Sequence, residues 1–275
     1  MVIIVPFFLG IYYSMTDWNG VRENITFVGL ANYNGLFSQP QFQYSFLITV
    51  EYTVINIILV NVISFMLSLL ATSKVRLRNF YRAGFFVPNL IGGIVLGYIW
   101  QFLFNNVFTL VGPALGLAAG KSMIAQANTV IWAMSIVNTW QYAGYIMMIY
   151  VASIQSVPSS LMEAASVDGA NYFTRLRKIL IPMMANAFTI SLFLTLTNSF
   201  KQFDMNLTLT NGGPSVRFVG KVVKSSQLLA MDIYNTANTS NQMAQAQAKA
   251  VIFFVLLVVF SLVQVYFNKR KEVEA

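Results

Sequence analysis

The chain has 275 residues, of which 57% are hydrophobic and only 9% are charged, whereas a soluble domain carries about 25% charged residues. So few charged residues cannot cover the surface of a soluble protein of this size, and the composition therefore predicts an integral membrane protein. The absence of cysteine and histidine excludes disulfides, thiolate metal sites and a histidine-based catalytic triad.

Apolar runs long enough to cross a bilayer, about 20 residues each, recur along the chain. The first run, Val2–Tyr13, is too short to span alone, so we expect residues 1–15 to be the outer part of a first transmembrane helix that begins before this sequence. Residues 16–45 are then an outer segment, and residues 46–268 hold a core of five longer runs. These runs are Phe46–Ser73, Phe85–Phe104, Ala127–Ile154, Ala185–Phe200 and Ala250–Phe267.

The distribution of Lys and Arg predicts the orientation of these crossings. Lys and Arg are more frequent in the loop 74–84, in the segment 153–183 and in the tail 269–275 than in the segments that connect the crossings on the opposite side of the membrane. By the positive-inside rule these basic segments, including the C-terminus, are cytoplasmic. The net charge of +8 is therefore interpreted as a topology signal and as attraction to membrane lipid, with no nucleic acid as partner.

Charge is almost absent from the predicted crossings, since Glu51 is the only charged residue that falls inside one. Carriers driven by protons or sodium usually place carboxylates or histidines within the membrane. The sequence therefore favours a transporter whose energy comes from elsewhere, and an ion-coupled secondary transporter is the alternative.

The cytoplasmic segment 155–183 is predicted to form two short helices that meet at Gly169, a residue that tolerates a positive φ. Ser160 and Glu163 have the spacing of a capping box at the start of the first helix. Pro182 is expected to end the second helix. Local physical chemistry alone also allows an ordinary amphipathic loop.

The spacing of this segment is more specific than its helical pattern. Glu163 and two alanines are followed after three residues by Gly169, and nine residues later by Ile179-x-Ile181-Pro182. This arrangement resembles the EAA loop of bacterial ABC importer permeases, with Ile181 in place of the family's leucine. The resemblance implies a coupling helix that docks on an ATPase subunit. Its candidate residues are Glu163, Ala164, Ala165, Asp168, Gly169, Ile179 and Pro182.

Other segments narrow the resemblance to the carbohydrate-uptake branch of that family, in particular to the multiple-sugar or oligosaccharide permeases of Gram-positive bacteria. They are Thr16–Gly20, Phe27–Tyr33, Phe85–Pro88 with Ile99 and Trp100, Asp204 with Thr210–Pro214, Gln245–Ala250 and Asn268–Val273. The resemblance implies an all-α integral membrane fold with six transmembrane helices. It also implies a second, different permease subunit, two ATPase subunits that bind ATP and Mg²⁺, an extracytoplasmic binding protein and a sugar substrate. This chain would then be a non-catalytic subunit of the bacterial cell membrane with no cofactor of its own.

A sugar path needs hydrogen-bonding groups and aromatic faces. Polar side chains at helical spacing suggest such a path, although residues of this kind also join neighbouring helices. The candidates are Ser191, Thr195, Asn198, Gln202, Asn138, Gln141, Tyr145, Asn56, Trp100 and Gln101.

Two further interpretations concern packing and chemistry. Gly93 and Gly97 form a small-xxx-small pattern that favours helix packing over solute contact. The outer loop 205–249 suits either contact with a binding protein or simple exposure. A membrane-embedded enzyme is a further alternative, but Glu163 and Asp168 are its only nearby carboxylate pair and are better explained by the helix stop.

Overall fold

A computed structural model of the chain describes residues 4–22, 24–73, 76–112 and 122–269, with Lys269 described in its backbone only. The first three residues of the predicted first crossing and most of the tail 269–275 lie outside the described residues. The α-helices are α1 (Ile4–Ser14), α2 (Ala31–Asn34), α3 (Pro40–Thr72), α4 (Arg78–Phe86), α5 (Gly93–Phe102), α6 (Phe108–Val111), α7 (Val130–Ser156), α8 (Ser159–Val167), α9 (Tyr172–Arg175), α10 (Ile181–Met183), α11 (Ala185–Phe200), α12 (Asp204–Leu209), α13 (Leu229–Asn238) and α14 (Met243–Lys269).

Shorter elements complete the described chain. Leu36–Ser38, Val87–Leu90 and Met123–Ala125 are 3₁₀ turns, and Leu103–Val107 and Leu176–Leu180 are π-helical turns. Strands β1 (Ser215–Phe218) and β2 (Lys221–Lys224) form an antiparallel hairpin in which Ser215 pairs with Lys224.

Among the described residues, three helices are long and apolar enough to cross a membrane, namely Pro40–Thr72, Gly93–Val111 and Met243–Asn268. Two bent pairs raise the number to five if each pair is one span. Helices α7 and α8 meet at 66°, and Tyr172–Met183 meets α11 at 69°. The mostly helical fold with several apolar helices agrees with the predicted fold class, while α1, with 11 residues, is shorter than a span.

Several helices begin or break at positions other than the ends of the predicted crossings. Helix α3 begins at Pro40 rather than Phe46, because proline suits the first turn of a helix. Helix α14 begins at Met243 rather than Ala250, since the alanines and glutamines before Ala250 favour a helix. The predicted crossing Phe85–Phe104 is broken, because Pro88 and the Gly92-Gly93 pair interrupt it and a new helix starts at Gly93.

The chain divides into two compact units. The first unit comprises Met1–Tyr52, Gly93–Met134 and Ser199–Val259. The second unit comprises Thr53–Gly92, Ser135–Asn198 and Phe260–Ala275.

In the first unit the predicted outer loop 205–249 is largely structured, since it contains α12, the β-hairpin, α13 and the start of α14. Helix α12 packs directly on the glycine face of α5. A Cβ added at Gly97 would lie 1.8 Å from Thr208 Oγ1, and one at Gly93 would lie 2.8 Å from Asp204 Cβ. The helix-packing interpretation of the Gly93–Gly97 pattern is thus confirmed.

An exposed turn of the first unit precedes α2. The Thr26 backbone N–H donates to Asp17 Oδ1 at 2.8 Å. Hydrogen bonds from Thr26 hold the pKa of the Asp17 carboxyl below its ordinary value because they favour the charged form.

The core of the second unit is apolar and joins α3, α7 and the end of the 155–183 segment. Val60, Ile146 and Tyr150 are buried there together with Leu180 and Met184. Helices α3 and α7 and the 155–183 segment therefore share one hydrophobic cluster.

Candidate functional site

The 155–183 segment contains a sharply defined corner after α8. Gly169 has a φ of +79°, which glycine adopts without a steric penalty. The N–H of Ala170 donates to the Ala165 carbonyl at 2.9 Å, and the N–H of Gly169 donates to the Ser166 carbonyl at 3.2 Å. These are the two bonds of a Schellman motif, so the spacing from Ala165 to Gly169 has a structural cause.

The chain enters the next helix immediately after this corner. Asn171 caps α9, because its Oδ1 accepts a hydrogen bond of 2.8 Å from the Thr174 N–H. The two caps follow one another with only Ala170 between Gly169 and Asn171. The corner is therefore held by hydrogen bonds on both sides of the turn.

Two details of the predicted segment are wrong. Helix α8 begins at Ser159 with Pro158 in the N-cap position, and this described helix has no side-chain capping bond, so Ser160 and Glu163 do not form a capping box. Pro182 does not end the second helix either. It lies in the first turn of α10, which follows a π-helical turn, and the bend comes after Met183.

The candidate coupling residues fall into a projecting half and an anchored half. Glu163, Ala164, Asp168 and Gly169 are exposed, and Ala165 is half-buried. Ile179 and Pro182 are half-buried beside Leu180, which is 7% exposed in the core of the second unit. The segment thus combines a solvent-facing corner with an attachment to the membrane helices.

Exposed apolar side chains surround the corner. Val167 is 88% exposed and Phe173 is 77% exposed, and Leu161 and Tyr172 are also open to solvent. Apolar groups that cluster on an otherwise polar loop are typical of a protein interaction site.

The polar residues predicted for the crossings form two hydrogen-bonded groups in the second unit. In the first group Asn138 Nδ2 donates to Asn56 Oδ1 at 2.9 Å, and Asn198 Nδ2 donates to Asn138 Oδ1 at 3.4 Å. The group therefore brings together three predicted path residues from α3, α7 and α11. Asn56 and Asn138 are fully buried, and Asn198 is half-buried.

The second group is centred on a tyrosine. The Tyr150 hydroxyl donates to Asn61 Oδ1 at 2.7 Å and lies 2.6 Å from Ser191 Oγ. Asn61 Nδ2 in turn donates to Thr195 Oγ1 at 3.3 Å. Sequence reasoning found Ser191 and Thr195 but missed Asn61 and Tyr150. Asn61 is a second amide in the apolar run that contains Asn56, and its presence there is the available signal.

The remaining path candidates are placed separately. In the second unit Gln141 Nε2 donates to the Ile91 carbonyl at 2.8 Å, and the Tyr145 ring lies 5.3 Å from that of Tyr142. In the first unit Gln101 Nε2 donates to the Leu209 carbonyl at 3.1 Å. Also in that unit, the Trp100 ring lies 5.5 Å from Phe104, and Gln202 Oε1 accepts from the Phe203 N–H.

The first unit contains a buried ion pair that sequence reasoning missed. Lys249 Nζ lies 2.7 Å from Asp232 Oδ2, and both side chains are 4% exposed. Lys249 also donates to Thr236 Oγ1 at 2.8 Å, and Gln227 Nε2 donates to Asp232 Oδ1 at 2.9 Å. Within the described residues no group of three His, Cys, Asp or Glu side chains is arranged to hold a metal ion.

Curated proteins similar to this chain are permeases of transport systems. A relative in Thermoanaerobacterium thermosulfurigenes, named as a probable starch degradation products transport system permease protein (AmyD), is 43% identical over 274 residues, covering 100% of this chain and 91% of the relative. The multiple sugar-binding transport system permease protein MsmF of Streptococcus mutans is 30% identical over 269 residues, covering 98% of this chain and 90% of that protein.

Solved structures share the fold. A chain from a bacterial ABC transporter involved in the import of the acidic polysaccharide alginate matches with a TM-score of 0.81 at 16% identity, covering 98% of this chain and 90% of that one. A chain from the alginate transporter in complex with a pentasaccharide-bound periplasmic protein matches with a TM-score of 0.72 at 17% identity, covering 88% of this chain and 83% of that one.

The family assignment follows from residues 61–273, which match the family model described as the binding-protein-dependent transport system inner membrane component. That match extends from the middle of α3 into the C-terminal tail and includes the whole 155–183 segment. It agrees with the expected role as a non-catalytic membrane subunit. The chain belongs to the family of binding-protein-dependent transport inner membrane components and is an ABC importer permease.

Proposed function

We propose that this permease takes up a sugar, in particular an oligosaccharide, that an extracytoplasmic binding protein delivers. Support comes from the names of two relatives, one concerned with starch degradation products and one with multiple sugars. A second, different permease subunit completes the membrane part. Two ATPase subunits bind ATP and Mg²⁺ and supply the energy.

The observation that carries the proposal is the projecting corner at Gly169. Its helix α8 is exposed, whereas the chain on its far side is fixed to the apolar core of the second unit through Leu180. A surface that docks on an ATPase and moves membrane helices requires both properties. Glu163, Asp168 and the apolar side chains beside them form the docking surface, and Ile179 and Pro182 belong to the attachment.

We also propose the orientation and the partition of the chain. Residues 1–15 belong to the first crossing, 16–45 to an outer segment and 46–268 to the permease core, with 269–275 as a cytoplasmic tail. The loop 155–183 lies in the cytoplasm and 205–249 lies outside, in the cell membrane of a Gram-positive bacterium. The arginines and lysines near α4 and α9 support this orientation.

The predicted path residues differ in burial, and we propose a different role for the exposed and for the buried ones. Six candidates keep some exposed surface and are proposed to contact the sugar: Asn198, Gln141, Tyr145, Trp100, Gln101 and Gln202. The other four are fully buried and hydrogen-bonded, and we propose that they hold the helices of the path together: Ser191, Thr195, Asn138 and Asn56.

The coupling role is tested with the complete transporter in proteoliposomes. Val167→Asp places a charge at the centre of the proposed ATPase contact, and we expect a tenfold or greater fall in binding-protein-stimulated ATP hydrolysis and uptake, roughly 1.4 kcal/mol or more. Val21→Asp is the matched control, because Val21 is 86% exposed but lies in the outer segment.

Copurification of the second permease subunit shows whether each variant has folded, and copurification of the ATPase subunits then measures docking. Unchanged stimulation in the Val167→Asp transporter would contradict the coupling role. Uptake by this chain alone, driven by an ion gradient without ATP, would establish the secondary-transporter alternative instead.

A further inference from the structure

An apolar groove opens on the second unit where α4 lies beside α3 and α7. Its volume is about 680 Å³, within the range of about 300–1,000 Å³ typical of small-molecule sites. Leu59 and Ile63 of α3, Phe80 and Gly84 of α4 and Trp140 of α7 line it. We name this feature the α4 groove.

The groove results from two contacts that fix α4 at its sides. A Cβ added at Gly144 would lie 1.8 Å from the Phe85 carbonyl oxygen, so the end of α4 touches the backbone of α7. The Arg82 guanidinium donates two hydrogen bonds to the Ala71 carbonyl at the end of α3, at 2.9 and 3.2 Å. The apolar space between the helices is left open, and Phe80 is 71% exposed beside it.

Positive charge lies at one end of the α4 groove. Arg76 and Arg78 are exposed and flank Leu77, which is one helical turn before the groove residues Phe80 and Tyr81. No Asp or Glu occurs between residues 73 and 92. The start of α4 has no side-chain cap, so its first backbone N–H groups add to the positive potential.

We propose that the α4 groove binds an anionic phospholipid of the cytoplasmic leaflet. One acyl chain lies along Leu59, Ile63 and Trp140, and the phosphate contacts Arg76 and Arg78 at the start of α4. Basic pockets between transmembrane helices on the cytoplasmic side are suited to such headgroups. The inference rests on the proposed orientation, because the arginines must face the cytoplasmic leaflet.

Charge complementarity distinguishes this occupant from an apolar helix of the partner permease. A helix would fill the apolar walls equally well, but it would leave Arg76 and Arg78 without an anion. A zwitterionic lipid would likewise bring no net negative charge to the arginines. The proposal therefore requires both an acyl chain and an anionic headgroup.

The test uses the complete transporter in nanodiscs that contain phosphatidylcholine and a fixed fraction of a lipid brominated in its acyl chains. Bromine quenches tryptophan fluorescence on contact, and the difference between wild type and Trp140→Phe isolates the Trp140 signal. We expect brominated phosphatidylglycerol to quench Trp140 more than brominated phosphatidylcholine at the same mole fraction. Each of Arg76→Gln and Arg78→Gln should lower this preference by about fivefold, the equivalent of one lipid-facing cation.

Gly84→Leu should abolish the selective quenching because its side chain enters the groove, where an added Cβ meets no atom within 4 Å. Gly92→Leu is the matched control, since an added Cβ there is equally unhindered and Gly92 does not line the groove. Equal quenching by the two lipids would overturn the proposal, and so would no quenching, which would mean that a partner subunit covers the groove. The same samples are also transferred to liposomes, where ATP-driven uptake is measured. Normal uptake without selective quenching would refute the lipid site while leaving the proposed function intact.

Discussion

Individual polar side chains in the crossings are matched to specific partners. Tyr150 illustrates this, because its hydroxyl lies between Asn61 and Ser191 in an otherwise apolar cluster. A buried hydroxyl without a partner destabilises a protein, so a buried polar side chain needs a partner, either on its own helix, as for Thr195, or on another helix, as for Tyr150. The four asparagines and the tyrosine of the two hydrogen-bonded groups therefore specify how α3, α7 and α11 pack in the second unit.

Tyr150→Phe removes one hydroxyl and leaves Asn61 and Ser191 without it. We expect the free energy of unfolding to fall by about 1–2 kcal/mol, the usual effect of leaving buried polar groups unsatisfied. Tyr98→Phe is the control, because the Tyr98 side chain is 59% exposed. Thermal unfolding in detergent measures both variants, and equal stability of the two would show that the Tyr150 hydroxyl does not contribute.

The buried ion pair of the first unit makes a second prediction at the residue scale. Lys249→Met alone should destabilise the protein by about 3–5 kcal/mol, because it leaves the Asp232 carboxylate buried without its partner. The double variant Lys249→Met with Asp232→Leu should recover most of this loss. A double-mutant cycle of unfolding midpoints measures the coupling, and additive effects would refute it.

At the scale of elements, glycine and proline explain both the successes and the failures of prediction. The sequence predicts a helix stop at Gly169 because glycine adopts a positive φ without a steric penalty. The two Schellman hydrogen bonds follow from that backbone conformation. Pro182 was misread, because proline is compatible with the first turn of a helix as well as with its end. The break before Gly93 follows from Pro88 and the Gly92-Gly93 pair, which the apolar length of the predicted crossing obscures.

Gly144→Ala tests the contact between α4 and α7. Alanine in a helix interior is intrinsically more favourable than glycine by about 1 kcal/mol. Its Cβ would nevertheless meet the Phe85 carbonyl, a backbone atom that cannot rotate away, so we expect a net loss of about 1–3 kcal/mol. Gly35→Ala, at a helical φ of −84° with no neighbour within 4 Å, should be neutral or stabilising. Thermal unfolding of both variants decides the sign, and a stabilised Gly144→Ala would contradict the close contact.

For the whole molecule, the sequence predicted the membrane class, the approximate crossings and the family. The bilayer sets the length of each apolar run and the placement of Lys and Arg, so both features can be recognised in the sequence without knowledge of tertiary contacts. The helices and hairpin within residues 205–249 and the Lys249–Asp232 pair were not predicted, because the pair joins residues of two different helices, α13 and α14. The hydrogen-bond partners of Asn56 and Ser191 lie on other helices, so the pattern of a single helix could not predict them.

The absence of cysteine allows the orientation of the whole chain to be measured without removing native thiols. We expect Val21→Cys to react with a membrane-impermeant maleimide on intact cells, because Val21 is exposed in the outer segment. Val167→Cys, at an equally exposed position, should react only in inside-out vesicles that lack the ATPase subunits, because these subunits would otherwise cover it. The reverse labelling pattern would refute the proposed topology.

The corner at Gly169 has a mechanical consequence. The Ala165 and Ser166 carbonyls at the end of α8 already accept hydrogen bonds, so a load applied to α8 meets a closed joint rather than a fraying helix end. The nine residues of α8 form an arm of about 13 Å, and a rotation of about 10° at the joint would displace its tip by about 2 Å. A push from an ATPase would therefore reach the membrane core as torque on the Leu180 anchor.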